Sequence, residues 1–336
     1  MLIWTPLAAR TLPLLVLLGG AAAVGLAWPF NPVLAQSYPS RPLRLVVPFP
    51  PGGGADILGR TIAEALAGQL AQSVLVDNRA GANTIVGAEV AARASADGYT
   101  LLLAPGSTLA VNPAAYAKLP YDAVRDFAPI ARIASNYQVV AARRGFAPNT
   151  IAELVKLAQS RPDSISYGSV GNGSPSHFGG VLLETMAGIR MLHVPYKGNA
   201  QVLADLVGEQ VDIHLVGPPS VQGLVKSGKL KLLAATSEKR LPTYPDLPTI
   251  AESGYPGYTS GAWYTMVTRA GSPVAVIATL NRAINAVLVS APVKTALERD
   301  GYIVDAGASP ADTAAFIAAE TKKWAGLVRA AGVKFD

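Results

Sequence analysis

The sequence predicts an α/β protein of two lobes, each a mostly parallel sheet flanked by helices. Three observations predict it. Short apolar runs of strand length alternate with amphipathic stretches of helix length. A strand, a glycine-rich break and a helix follow one another twice, at residues 44–70 and again at 164–187. The 336 residues, at ~150 per domain, are enough for roughly two domains.

The elements follow in order. Arg44 to Phe49 is a short apolar run that reads as a buried strand. Pro50-Pro51-Gly52-Gly53-Gly54 breaks it, and a helix follows with Leu58, Ile62, Leu66 and Leu70 on one face. Ser73 to Asp77 is the next strand, Asn78 to Asn83 a turn, Thr84 to Ala94 a helix and Thr100 to Ala104 a third strand. Ile151 to Ser160 reads as a helix and Ser164 to Ser169 as a strand. Gly171 to Ser176 is the second glycine-rich break, and a helix runs from His177 to Ala187. Strand Met191 to Tyr196, helix Asn199 to Val207 and strands Val211 to Val216 and Leu230 to Ala235 complete the pattern.

The first 35 residues read as a signal peptide. Residues 11–40 carry no charge, Arg10 supplies a positive start, and Val33-Leu34-Ala35 ends on small residues suited to cleavage before Gln36. No Cys follows the apolar run, which excludes a lipid-anchored lipoprotein. Removing the leader takes one Arg and no acid, so the formal charge falls from +6 to +5. No later stretch approaches the ~18 apolar residues that span a bilayer. The expected location is the periplasm, as an exported protein.

Composition removes several classes. Half the residues are apolar and 15% are charged, which excludes a disordered chain. Zero Cys excludes a disulfide framework, a thiolate metal site and a Cys nucleophile. Three His leave little for a His-rich metal centre, and no cofactor is expected. Basic residues are scattered without a Lys/Arg block or interleaved aromatics, so nucleic acid is not an expected partner.

The glycine-rich break has a specific use. Glycine lets backbone approach a ligand closely. The helix after it offers unpaired N–H groups and a partial positive charge, an anion site that needs no charged side chain. Two such loops facing each other across a cleft suit a small carboxylate.

At these positions the chain resembles a known family. Tyr38-Pro39-Ser40-Arg41-Pro42, Val46 to Gly53 with Asp56 and Arg60, Asp77-Asn78-Arg79 and Asp97-Gly98-Tyr99 carry the first part. Tyr167-Gly168-Ser169, Gly171, Gly173-Ser174, His177, His193 to Gly198, Asp205-Leu206, Val211-Asp212, Arg240-Leu241-Pro242 and Trp263 carry the rest. These motifs, in this order, resemble Bug-type (TctC-type) solute receptors, the periplasmic binding proteins of tripartite tricarboxylate transporters. The resemblance implies a Venus-flytrap fold of type II character. Residues 36–136 with 260–336 would form one lobe and 137–259 the other. It also implies delivery of a bound acid to membrane transporter subunits, with a sensor as the other possible client, by a monomer. The acid would be a dicarboxylate, an aromatic carboxylate or an acidic amino acid.

Carried over by position, the first loop becomes Phe49, Pro51, Gly52, Gly53, Ala55 and Asp56, and the facing loop Ser169, Gly171, Gly173, Ser174 and His177. Asn83, Thr84, Ser107, Tyr196 and Asp212 sit where lobe edges reach a ligand. Asn83-Thr84 replaces a usual glycine, and His214 departs from the commoner pattern after Val211-Asp212. Read from the residues alone, Asp56 either caps a helix or meets a ligand amine or hydroxyl. His177 either holds a carboxylate or ties its loop down. His193 reads as a core histidine and Trp263 as a packed residue. The competing function is an exported hydrolase or lyase in the same cleft. No G-x-S-x-G, H-E-x-x-H or S-x-x-K motif supports it.

Overall fold

The structure is a computed structural model describing residues 38–330 and 332, so the leader expected over 1–35 lies outside the described residues. In chain order it has β1 (Leu43–Val47), α1 (Gly54–Leu70), β2 (Val74–Asn78), α2 (Ile85–Ala92) and β3 (Thr100–Pro105). A turn of wider π-type helix, Ser107–Val111, leads into α3 (Asn112–Ala115). Then come β4 (Phe127–Tyr137), β5 (Val139–Arg143), α4 (Ile151–Ser160), β6 (Ser166–Ser169), α5 (Pro175–Ala187) and β7 (Leu192–Pro195). α6 (Asn199–Val207), β8 (Ile213–Val216), α7 (Pro218–Lys226), β9 (Leu230–Ala235) and β10 (Gly261–Arg269) follow. α8 (Val274–Leu288), α9 (Ala291–Arg299), β11 (Ile303–Val304) and α10 (Pro310–Ala330) close the chain.

Two sheets organise these elements. One has the order β11-β4-β10-β3-β1-β2, the other β7-β6-β8-β5-β9. Both are mixed, with most strands in each running the same way, as expected. The βαβ units do give parallel pairs: β1 with β2 and β3, and β6 with β7 and β8. However, β10 runs antiparallel to β3 and β4, and β5 runs antiparallel to β8 and β9. The reason is topological. The chain leaves the first sheet along β4, enters the second along β5, and returns through β10. Strands that carry the chain across have no crossover helix to bring them in parallel.

Local chemistry sets the boundaries. In α1 the stripe Leu58, Ile62 and Leu66 is fully buried, packed under Leu43, Leu45 and Val47 of β1. Thr150 caps α4 by accepting from the Glu153 N–H at 3.1 Å, while Glu153 accepts from the Asn149 N–H at 2.7 Å. Helix α5 lies so close to its sheet that a Cβ on Gly180 would stand 2.3 Å from the Tyr167 ring. The same test on Gly326 of α10 meets nothing within 4 Å.

Those two glycines give opposed expectations. Gly326→Ala should stabilise the fold by ~0.5–1 kcal/mol through backbone entropy. Gly180→Ala should cost about 1–3 kcal/mol, because overpacking outweighs the helix preference. Chemical denaturation of the two variants beside the parent protein measures both. A stabilised Gly180→Ala protein would contradict the packing of α5 on β6.

Candidate functional site

The loops after β1, β2 and β3 on one sheet and after β6, β7 and β8 on the other leave from the strands' C-terminal ends, where α/β proteins bind ligands. They line a cleft of two adjoining compartments. One, of about 340 Å³, is bounded by Phe49, Asn83 and Ser107 from the first set of loops and by Asn172, Gly173 and Ser174 from the second. Trp263 and Tyr264 of β10, Phe178 of α5 and Trp324 of α10 complete its wall. The other, of about 280 Å³, shares Val170, Pro175, Ala262 and Tyr264 with the first, and adds Asn136, Gln138, Asn199, His214 and Tyr302. Neither compartment is lined by a Lys, Arg, Asp or Glu among the described residues.

Matching side-chain clips hold the two glycine-rich loops. In the first, Gly52 has φ 82° and donates its N–H to the Asp56 carboxylate at 2.8 Å. Asp56 also accepts from Arg60 Nε at 3.0 Å and Asn78 Nδ2 at 2.9 Å. In the second, Gly171 and Gly173 have φ of 116° and 77°, and Gly173 donates its N–H to His177 Nδ1 at 3.1 Å. In both, a side chain four residues on, in the first turn of the following helix, receives the loop N–H. Gly53 and Ser174 are the N-caps of α1 and α5, and Gly53 brings no side-chain cap. The first N–H groups of α1 therefore face the loop unoccupied by a cap of the chain's own.

These clips bear on the open readings. Asp56 is 3% exposed and its oxygens are committed to the protein, so it is a loop holder. His177 ties its loop down and stacks on His193, ring centres 4.0 Å apart. His193 is half-buried, stacks on Tyr167 and lies 2.7 Å from Ser169 Oγ. Trp263 both packs and lines the cleft. Its indole N–H and that of Trp324 each reach Glu320 at 2.8 Å, so one carboxylate sets both rings.

Of the residues expected from the sequence, Phe49, Asn83, Ser107, Gly173 and Ser174 line the cleft, while Pro51, Gly52, Gly53, Ala55, Ser169 and Gly171 shape the loops behind it. Thr84 is buried against Thr108, with the two hydroxyls 2.7 Å apart. Tyr196 donates its hydroxyl to Asp205 at 2.8 Å and braces the second loop through its own N–H, donated to Ser169 O. Asp212 needs correction. It precedes β8, at the opposite end of the strands, and its carboxylate accepts from Arg143 and from the Ser166 N–H and hydroxyl. Sequence reasoning missed Tyr264 and Asn136 of the crossing strands, Gln138 between β4 and β5, Tyr302 before β11 and Trp324 of the C-terminal helix. The distance in sequence between Trp263 and Glu320 left no local signal.

The clips have opposite electrostatics. Hydrogen bonding from Arg60 leads the causes that lower the Asp56 pKa to about 2. Burial, reinforced by His193, lowers that of His177 to about 4, and burial lowers His214 to about 4 as well. Below the ordinary His value of 6.5 an unfolded chain takes up protons that the folded one refuses, so stability rises with pH between about 4 and 6.5 and is lost on acidification through that window. Protonated His177 Nδ1 can no longer accept from Gly173, so the second loop releases before the first. The melting temperature should fall as pH drops from about 6.5 to 4, with a shallower slope in His177→Gln. A flat profile across that window would contradict the neutral-histidine clip.

With the geometry in place, comparison with known proteins is direct. The family model for the tripartite tricarboxylate transporter family receptor matches residues 58–333. Protein BugT of Bordetella pertussis is 35% identical over 304 residues, covering 90% of this chain and 93% of that protein. The solved structure of R. palustris Rpa4515 with adipate is 34% identical, covers 88% of this chain and 99% of its own, and superposes with a TM-score of 0.72. MatC (Rpa3494) from Rhodopseudomonas palustris with bound malate is 30% identical, covers 87% and 100%, and gives 0.68. The chain belongs to the tripartite tricarboxylate transporter receptor family of Bug/TctC solute-binding proteins.

Proposed function

We propose that the protein is a periplasmic receptor that closes two lobes, residues 36–136 with 260–336 and residues 137–259, on a small carboxylate. The acid is held by main-chain N–H groups and bridging water at the two glycine-rich loops and handed to membrane transporter subunits. The observation that carries this reading is the uncharged cleft between two clipped loops, each opening a helix. Helix N-termini stabilise an anion without a cationic side chain. Relatives whose structures hold adipate and malate support a carboxylate. Ligand shifts the population towards closure through contacts that only the closed state completes. The leader expected over residues 1–35 supports export.

The enzyme alternative has one favouring contact, the Ser169–His193 hydrogen bond. Ser169 is fully buried, and neither residue lines the cleft. Ser174 accepts from the His177 main-chain N–H, and the His177 ring nitrogen Nδ1 is taken by Gly173, so that pair activates no nucleophile.

A thermal-shift screen of dicarboxylates, aromatic acids and acidic amino acids should find at least one that raises the melting temperature. If every organic acid fails, the receptor reading fails. For an acid that binds, Asp56→Ala should weaken affinity by about tenfold, because the loop must then be ordered at the expense of binding. Calorimetric titration showing unchanged affinity would remove Asp56 from its loop-holding role.

A further inference from the structure

Resting on the receptor reading above, we infer that Asn83 is a specificity-determining residue whose amide oxygen selects small carboxylates carrying a hydroxyl or ammonium donor. The argument is one of hydrogen-bond direction. The main-chain carbonyl of Asn83 only accepts, so the Asn112 group 2.8 Å from it is the amide nitrogen. Asn112 is fully buried and is oriented by that bond, which turns its oxygen to Asn83 Nδ2 at 2.7 Å. Tyr121 agrees with this orientation: its hydroxyl donates to Thr108 O at 2.8 Å and accepts from Asn112 Nδ2 at 3.4 Å. One of the two N–H groups on Asn83 Nδ2 is thus committed to Asn112. The Asn83 amide oxygen has no partner among the described residues, and the side chain lines the 340 Å³ compartment.

The backbone holds this residue in place at a cost. Ala82, Asn83 and Thr84 have φ of 44°, 48° and 76°, three consecutive left-handed residues without a glycine. Asn tolerates that region, whereas a β-branched Thr does not do so readily. The buried Thr84–Thr108 pair and the Asn83–Asn112 bond fix the conformation.

The facing lobe offers a second acceptor by the same logic. His214 is 1% exposed, and its Nδ1 lies 2.9 Å from the Gly168 carbonyl, which requires the ring proton there. The neutral ring then has a lone pair at Nε2, 2.9 Å from the Asn199 amide atom placed as Oδ1. Two acceptors cannot share that contact, so the amide is turned about its last bond to give its nitrogen to the ring, which frees the oxygen of a side chain that lines the 280 Å³ compartment. Since no Lys or Arg lines either compartment, the distal end of the ligand meets amide and hydroxyl groups and no cation. A hydroxyl or amine there gains a bond. An acceptor set against the Asn83 oxygen strips its water and returns nothing.

Calorimetric titrations with matched acids test this: glutarate, 2-hydroxyglutarate and glutamate in one set, benzoate and 4-hydroxybenzoate in another. Within a set that binds, the donor-bearing acid should bind about tenfold tighter than its parent. Asn83→Gly, which suits the left-handed backbone, should reduce that ratio to about twofold or less. Asn83→Asp should shift preference towards the ammonium-bearing member, a change that a purely structural role would not produce. Parent acids that bind as tightly as their donor-bearing partners, or a ratio that survives Asn83→Gly, overturn the inference and leave the receptor reading standing. Binding of no acid at all overturns both.

Discussion

Everything at the cleft depends on two backbone turns held still by side chains behind them. The first turn gives its Gly52 N–H to Asp56, the second its Gly173 N–H to His177. Both acceptors stand four residues on, inside the first turn of the helix that follows the loop. A glycine turn is needed for close approach, but glycine alone would leave it loose. The clip supplies the missing order without placing a side chain between loop and ligand. One lobe uses a carboxylate that stays ionised, the other an imidazole that stays neutral, so only the second is sensitive to mild acid.

The walls of the cleft are set by a different device. Trp263 on β10 and Trp324 on α10 are aimed by one carboxylate, Glu320, which also takes Lys323 Nζ at 2.7 Å. Trp324 meets Phe178 of α5 edge-on, ring centres 5.1 Å apart, so the last helix also touches the second sheet's flank. An uncharged cleft lined by rings and small amides is consistent with capture by dipoles rather than by ion pairing. The surplus of basic residues in the sequence lies outside both compartments.

Much of this was legible in the residues, and the failures have physical causes. The βαβ alternation gave β1 to β3 and β6 to β8 within one or two residues, because apolar runs and glycine breaks are local signals. The reversed directions of β10 in one sheet and β5 in the other were not anticipated, because direction is a tertiary property. Asp56 and His177 were placed correctly in the chain, but each was left with two roles. Choosing between them needed the loop N–H positions. Asp212 was misplaced because a motif at the start of a strand lies a strand's length from the cleft at its end. Tyr302 and Trp324 had no signal at all, since their contacts are made across the crossing strands.

The central claim is that main-chain N–H groups at the two loops, and no cationic side chain, hold the acid. Amide chemical-shift mapping by two-dimensional NMR during titration with an acid that stabilises the protein tests it most directly. The account predicts the largest shifts at Gly53, Gly54 and Ala55 in one loop and at Asn172 and Ser176 in the other, moving together at one affinity. Shifts confined to one lobe, or centred on residues outside both loops, would contradict it.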